Sequence, residues 1–314
     1  MKTISIIIPI YNERGGIKEL HNRINETIFK YISQYNFEII FVNDGSKDDS
    51  HSEIKKLTEN GTNIKCLEFS RNFGKEVALS AGLQYCQGDC AIMIDADLQH
   101  PPELIPEFIK KWEAGGEVVI GVRAISHEDD WLKKFGSWLF YKIMNYIGET
   151  KIAPRATDFR LLDRMVINEF NKLTENSRLT RGLIAWLGFK REFIEFNSPK
   201  RKYGKPTYSK SKLLKLALTT FISQSLFPLK LAGYLGIIIM ILSGLIGIHI
   251  IINEHIHRYT DVLYFSEIAQ LAILLIFLVG LILSCLGLIA LYIGNIQHQV
   301  MGRPLYVIRK KINF

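Results

Sequence analysis

Two runs toward the C-terminal end, "LKLAGYLGIIIMILSGLIGIHIII" at 229–252 and "IAQLAILLIFLVGLILSCLGLIALYIG" at 268–294, carry no charged side chain except Lys230 at the head of the first. Each is longer than the roughly 20 apolar residues a helix needs to cross about 30 Å of hydrocarbon. Inside lipid the backbone has no water to bond, so helix is the form open to such a run. Both are expected to be transmembrane helices, with His249 near the end of the first. A buried hairpin of core helices is the alternative, but runs this long rarely stay free of charge in a soluble domain.

The basic residues set an orientation. Lys200, Arg201, Lys202, Lys205, Lys210, Lys212 and Lys215 precede the first run, Lys230 stands at its head, and Arg303, Arg309, Lys310 and Lys311 follow the second. The connector "NEHIHRYTDVLYFSE" holds only Arg258 as Lys or Arg. By the positive-inside bias, the large domain and both termini are expected on the cytoplasmic side of a cell membrane that the chain crosses twice. The formal net charge of +8 lies largely in these flanks. It fits attraction to anionic lipid, about 1 kcal/mol per basic residue near the surface, and not nucleic acid, since no stacked aromatic pattern or recognition motif accompanies it. "ISIIIPI" is too short for a secretory signal and runs straight into a polar loop. Cys66, Cys86, Cys90 and Cys285 match no zinc spacing and are expected to be free thiols.

The rest of the chain is a different material. Overall 48% of residues are hydrophobic and 22% charged, and the two are separated along the sequence: residues 1 to about 228 read as an α/β domain long enough to bury a full core. Apolar, β-rich runs alternate there with helical stretches. "TISIIIPI" leads to a helix-like segment from about Gly16 to Ser33, and "FEIIFVN" to one from about Asp48 to Glu59. "NIKCLEFS" precedes "KEVALSAGLQYC", and "CAIMID" precedes the proline-started "PPELIPEFIKKWE". Strands apolar on successive residues are buried on both faces, which predicts a mostly parallel, Rossmann-like sheet flanked by helices.

In such a sheet the strand-to-helix loops leave at the strands' carboxyl ends, where open α/β sheets bind ligands. Here they read "PIYNERGG", "VNDGSKDD", "SRNFGK" and "DADLQHPP". The last puts Asp95 and Asp97 at the mouth of the crevice. Alternate carboxylates can share a hard cation such as Mg2+ or Mn2+, which takes a few protein oxygens and completes its shell with phosphate and water. An isolated D-x-D can equally cap the next helix. Its place after a buried strand, among three other polar loops, favours the cation.

The motifs "IPIYNE", "VNDGSKDDS", "RNFGKEVALSAGL" and "DADLQHPPE", in this order and at these separations, resemble the family 2 glycosyltransferases of the GT-A fold. Followed by "TDFRLLDR", "RKYGKPTYS" and two apolar stretches, the set is similar over nearly the whole chain to the polyprenyl-phosphate glycosyltransferases. That group includes dolichol-phosphate mannose synthase and the bactoprenol glucosyltransferases. The resemblance implies that Asp44, with Pro9, Tyr11 and Glu13, holds the base and ribose of a nucleotide sugar; a carboxylate accepts from imide or hydroxyl donors. It implies that Arg71 and Lys75 meet nucleotide or phosphate oxygens. Asp95 would lie against the ribose or the metal, and Asp97 with Gln99 would hold the Mg2+ or Mn2+ that bridges the diphosphate. Such a cation stabilises the charge that builds on the departing nucleoside diphosphate.

On the acceptor side, the resemblance implies Arg123, Lys133 and Ser137 as binders of a polyprenyl phosphate, with lysine where a bidentate arginine would grip better. Lys134 is an equal occupant. Arg201 and Tyr208 in "RKYGKPTYS" correspond to an acceptor loop in which Pro206 replaces the usual serine, removing a hydroxyl and stiffening the loop; Thr207 is a substitute. Asp158 is nominated as catalytic base. An acceptor phosphate with a second pKa of about 6 is mostly ionised at neutral pH, so Asp158 could orient instead of abstracting, or pair with Arg155 or Arg160. The implied reaction is a metal-dependent, inverting displacement that moves a hexose from a UDP-hexose, UDP-glucose first, to undecaprenyl phosphate.

The expected architecture is thus α/β: a GT-A catalytic domain at 1–206, an amphipathic juxtamembrane helix at 207–228, two transmembrane helices within 229–294 and a cytoplasmic tail at 295–314. Leu213, Leu214, Leu216, Ala217 and Phe221 fall at helical intervals with lysines opposite, as in a helix lying along the membrane interface. Expected partners are the nucleotide sugar, the polyprenyl phosphate, membrane lipids and a second copy, since glycine-bearing spans and a strand-like tail, "RPLYVIRKKINF", allow self-association. Two rivals remain. A processive polysaccharide synthase needs more spans and usually a Q-x-x-R-W segment, where this chain reads "RLTRGLIAWLG". A membrane-tethered nucleotide-sugar scaffold would bind donor without turnover.

Overall fold

The apolar runs become strands β1 (Lys2–Ile10), β2 (Tyr35–Asn43), β3 (Ile64–Phe69) and β4 (Cys90–Met93). The computed structural model describes residues 1–31, 33–59, 61–124, 155–175, 178–199 and 267–314. Lys133, Lys134, Ser137, Arg201, Tyr208, the juxtamembrane stretch and the first apolar run lie outside them. Between the strands come α1 (Ile17–Ile28), α2 (Ser50–Glu59), α3 (Lys75–Tyr85) and α4 (Ile105–Glu113). Residues 1–212 with 303–314 form one unit and 213–302 a second.

Continuous burial explains the strands. Ile4, Ile6, Ile8 and Ile10 of β1 pack with Leu20 and Ile24 of α1 and with Ile105 and Phe108 of α4. Ile7 faces the opposite way, onto Ala78 and Leu79 of α3 and onto Val166 and Ile167 of α5 (Arg164–Lys172). Neither face of the central strands is left to water, as expected of parallel strands between helical layers. β1 pairs in parallel with β2 and β4, and β2 with β3.

The sheet is larger than those four runs. It also contains β5 (Val118–Arg123), β6 (Ala156–Asp163), β7 (Arg191–Phe196) and β8 (Ile308–Ile312), in the order β7-β5-β6-β4-β1-β2-β3-β8. β6 lies antiparallel between β4 and β5. Its first residues, not its last, therefore stand at the edge where β1 to β4 end. Met93 registers with Arg160, and two further steps along this register bring Asp95 opposite Asp158.

The tail set apart at 295–314 ends inside the domain. β8 adds antiparallel to β3, with Leu67 opposite Lys311 and Phe69 opposite Ile308. Arg309, Lys310 and Lys311 charge this edge strand, a common guard against further pairing. The second apolar run lies within a helix, α7 (Glu267–Val300), that continues past residue 294. Judged on the described residues alone, no helix is long and apolar enough to cross a membrane; many side chains of α7 lie outside them.

Candidate active site

Four charged side chains meet where β4 and β6 reach this edge. Lys75, the first residue of α3, places Nζ 2.6 Å from Asp95 Oδ1 and 2.7 Å from Asp158 Oδ2. Arg181, on α6 (Thr180–Trp186), meets Asp158 from the other side, with Nε donating to Oδ1 at 2.5 Å and Nη2 to Oδ2 at 2.9 Å. The result is an alternating row, Asp95, Lys75, Asp158, Arg181. Burial would push the Asp158 carboxyl up, but Lys75 and Arg181 hold it well below the usual carboxylate range. Burial opposes ionisation of Asp95 too, and the Lys75 ammonium keeps its pKa below the ordinary value. For Lys75, the two carboxylates outweigh burial and raise the pKa.

The turn after Asp95 is tight, with Leu98 at φ +61°. Asp97 Oδ1 accepts from the Gln99 N–H at 3.1 Å. The Gln99 amide oxygen, expected to face a metal, accepts instead from Arg123 Nη2 at 3.2 Å. Arg123, expected at the acceptor phosphate, is exposed and makes that contact. Buried His100 stacks on Phe159 at 5.3 Å, and its Nδ1 accepts the Asp95 N–H at 3.2 Å. An accepting Nδ1 puts the ring proton on Nε2 and so keeps the imidazole neutral. Burial agrees with this by lowering its pKa.

Among the described residues, no group of three or more His, Cys, Asp or Glu is placed to hold a metal ion alone. Asp95 and Asp97 still suit a hard cation whose remaining ligands are phosphate and water. Lys75 already lodges one positive charge against Asp95, so a bound cation would share that carboxylate with the lysine.

The other loops are stitched to this row. The Asn12 N–H donates to Ser46 Oγ at 3.1 Å, the Glu13 N–H to Ser50 Oγ at 3.1 Å, and the Lys47 N–H to Asn12 Oδ1 at 2.8 Å. Pro9 is buried in β1 opposite Val42, and Tyr11 is half-buried. Asp44 is 2% exposed. It accepts from Asn72 Nδ2, the Phe73 N–H and the Gly74 N–H at 2.9, 2.6 and 2.9 Å. Burial outweighs these donors and raises its pKa. Asp44 therefore fastens the loop that delivers Lys75, and exposed Arg71 lies over the Phe73 ring at 4.1 Å. The neighbouring Gly45 stands at φ +64°, where a Cβ would come 2.5 Å from the Arg71 carbonyl carbon. Gly45→Ala is expected to destabilise the protein by on the order of 3 kcal/mol, read by urea unfolding, since strain and a backbone clash coincide.

Residues 5–170 match the family described as Glycosyl transferase family 2. The chain belongs to this family. An uncharacterized glycosyltransferase of Synechocystis sp. is 40% identical over 305 residues, 97% of this chain and 94% of that protein. A bactoprenol glucosyl transferase of Shigella phage SfII is 36% identical over 311 residues, 98% of this chain and 97% of that protein. Among solved structures, glucosyl-3-phosphoglycerate synthase of Mycobacterium tuberculosis, with Mn2+ and uridine diphosphate bound, overlaps 71% of this chain and 80% of its own at TM-score 0.48 and 17% identity. That is too distant to carry a ligand across.

For this family 2 glycosyltransferase, the sheet order and flanking helices are those of a GT-A-like α/β fold with a mostly parallel sheet. The sequence reading missed three residues of its site. Arg181 follows no motif and reaches Asp158 only through the fold. Glu76 accepts the Thr180 N–H at 2.9 Å and so secures the start of the helix that carries Arg181. His100 had a signal, since it follows directly on the D-x-D turn in "DADLQHPP".

Proposed function

We propose that this glycosyltransferase moves a hexose, glucose first, from a UDP-sugar onto the phosphate of a membrane polyprenol such as undecaprenyl phosphate, inverting the anomeric centre. One observation carries the reading. The similarity to a bactoprenol glucosyl transferase spans 98% of the chain, far past residue 170 where the family match ends, and so through both apolar runs.

The chain's own residues have these tasks in the proposal. Pro9, Tyr11, Glu13 and Asp44 shape the nucleoside pocket, and Arg71 faces the diphosphate. Lys75 holds its positive charge between Asp95 and Asp158, beside the oxygens that become negative as the sugar leaves. Asp95 and Asp97 would hold Mg2+ or Mn2+, which when bound would neutralise the departing diphosphate. Gln99 is placed to orient Arg123. Arg123, Lys133, Ser137 and Arg201 receive the acceptor phosphate, whose own oxygen attacks, so the enzyme forms no covalent sugar intermediate. The runs at 229–252 and 268–294 span the membrane in this reading. A chain that enters the membrane after the domain and ends in the domain's own sheet would cross an even number of times, as two spans do.

The test uses membranes containing the full chain, incubated with labelled UDP-glucose, UDP-N-acetylglucosamine or GDP-mannose and then extracted with organic solvent. A sugar monophosphate lipid is expected from one donor, falling at least about a hundredfold in excess EDTA or with Asp97→Ala. A polymer would indicate a synthase instead. Donor bound without product would indicate a scaffold.

A further inference from the structure

We infer that Arg181 is the positioning residue of this site: it fixes the Asp158 carboxylate as a permanent anion that holds Lys75 beside Asp95, and Asp158 takes no proton during transfer. This rests on the transfer reaction proposed above and assigns its charges.

A carboxylate offers about four lone-pair sites. At Asp158 three are filled by charged donors, two from Arg181 and one from Lys75. The Arg181 contact is the two-pronged fork that guanidinium makes best, and its Nη1 also donates to the Ala156 carbonyl at 3.1 Å. α6 is thereby clamped to the first residues of β6. Glu76 completes the clamp through the Thr180 N–H. The one site left, on Oδ1, belongs to a carboxylate whose charge is already shared with two cations, which makes it a poor base, and an acceptor phosphate ionised at neutral pH has no proton to give up.

The groups around Asp158 define the alternative. Lys75 and Glu76 approach from α3, Arg181 from α6, Arg160 from β6, and Asp95 with His100 from the turn after β4. Removing Arg181 takes away a cation that favours the charged carboxylate, so the Asp158 pKa would rise. If Asp158 were the base, the acid limb of kcat/KM would move to higher pH in Arg181→Gln. If the limb belongs to the acceptor phosphate, it stays where it is.

The experiment measures pH profiles of full-length wild type, Arg181→Lys, Arg181→Gln, Asp158→Asn and the Arg181→Gln/Asp158→Asn double variant in vesicles, with undecaprenyl phosphate and the donor found above. Arg181→Gln is expected to lower kcat about a hundredfold, with donor KM within about threefold and the acid limb unmoved. Arg181→Lys should recover part of the loss, and the double variant should be no worse than Asp158→Asn. A limb displaced upward by about one pH unit, or single losses that multiply in the double variant, overturns the inference. A second readout needs no turnover. In infrared difference spectra of wild type against Asp158→Asn at about pH 5, a base poised near neutrality would show a protonated carboxyl band. Absence of that band supports the inference and its presence defeats it, even if no lipid product forms and the function proposed above fails.

Discussion

Lys75→Met is expected to lower turnover about 10²- to 10³-fold, the size seen when one charge-stabilising group is removed from a catalytic centre. Its ammonium is the counter-charge shared by Asp95 and Asp158, at 2.6 and 2.7 Å. Without it two carboxylates face each other, and their pKa values rise. Stability should change with a definite sign. In the wild type both carboxyls are held below their ordinary pKa, so their contribution is present above the normal carboxylate range of about 4 and is lost as pH falls through the lowered values. In the variant the raised carboxyls destabilise at neutral pH, and acidification relieves this. The gap between the two proteins should therefore be widest at neutral pH and narrow toward about pH 4. The Lys75 side chain is 36% exposed, so the buried-pair cost is discounted for screening to about 2 kcal/mol. Urea unfolding at several pH values and single-turnover assays measure the two effects. Near-normal turnover in Lys75→Met would make the lysine a bystander.

The strands β1, β2 and β4 could be read from residues because burial on both faces leaves a mark, a nearly unbroken apolar run, that does not depend on the partner; β3, "IKCLEF", carries Lys65 and Glu68 at its two less buried positions. Direction leaves no such mark. "FRLLD" in β6 resembles "AIMID" at β4, yet one strand runs against the other. The reversal matters most for function, since it brings Asp158 to the edge through its strand's beginning. The tail was legible as a strand but not by its partner. "VIRKKI" is half polar, as an edge strand must be, and nothing in it names β3.

The same distinction divides the site. Asp95 and Asp97 are two residues apart, so spacing alone exposed them. Lys75 and Asp158 are 83 residues apart and Arg181 a further 23, and only the packing of α3 and α6 on one face of the sheet unites them. Individual partners were the least legible. Asp44, expected to meet a nucleotide, also accepts three hydrogen bonds from its own loop. The Gln99 amide oxygen, expected at a metal, accepts from Arg123. A motif identifies which atoms are available, and competing donors within the fold decide how they are used.

That dependence on packing extends to the far end of the chain. Deleting residues 303–314 is expected to destabilise the domain by on the order of 4 kcal/mol, from an edge strand's hydrogen bonds and one aromatic stack. Tyr306 stacks on Phe69 at 5.0 Å, and the Ser70 N–H donates to the Val307 carbonyl at 2.9 Å. Both contacts sit immediately before residues 71–75, the segment that carries Arg71, fastens to Asp44 and ends at Lys75. The tail thus braces the loop from which the row of charges begins. The deletion should weaken UDP binding about tenfold by calorimetry as well as lower the unfolding midpoint. Tyr306→Ala, which keeps β8, should cost only about 1 kcal/mol and leave nucleotide affinity within about twofold. If the truncated protein bound UDP as tightly as the full chain, β8 would merely cover an edge; if affinity fell with the midpoint unchanged, the tail would act on the loop without supporting the sheet.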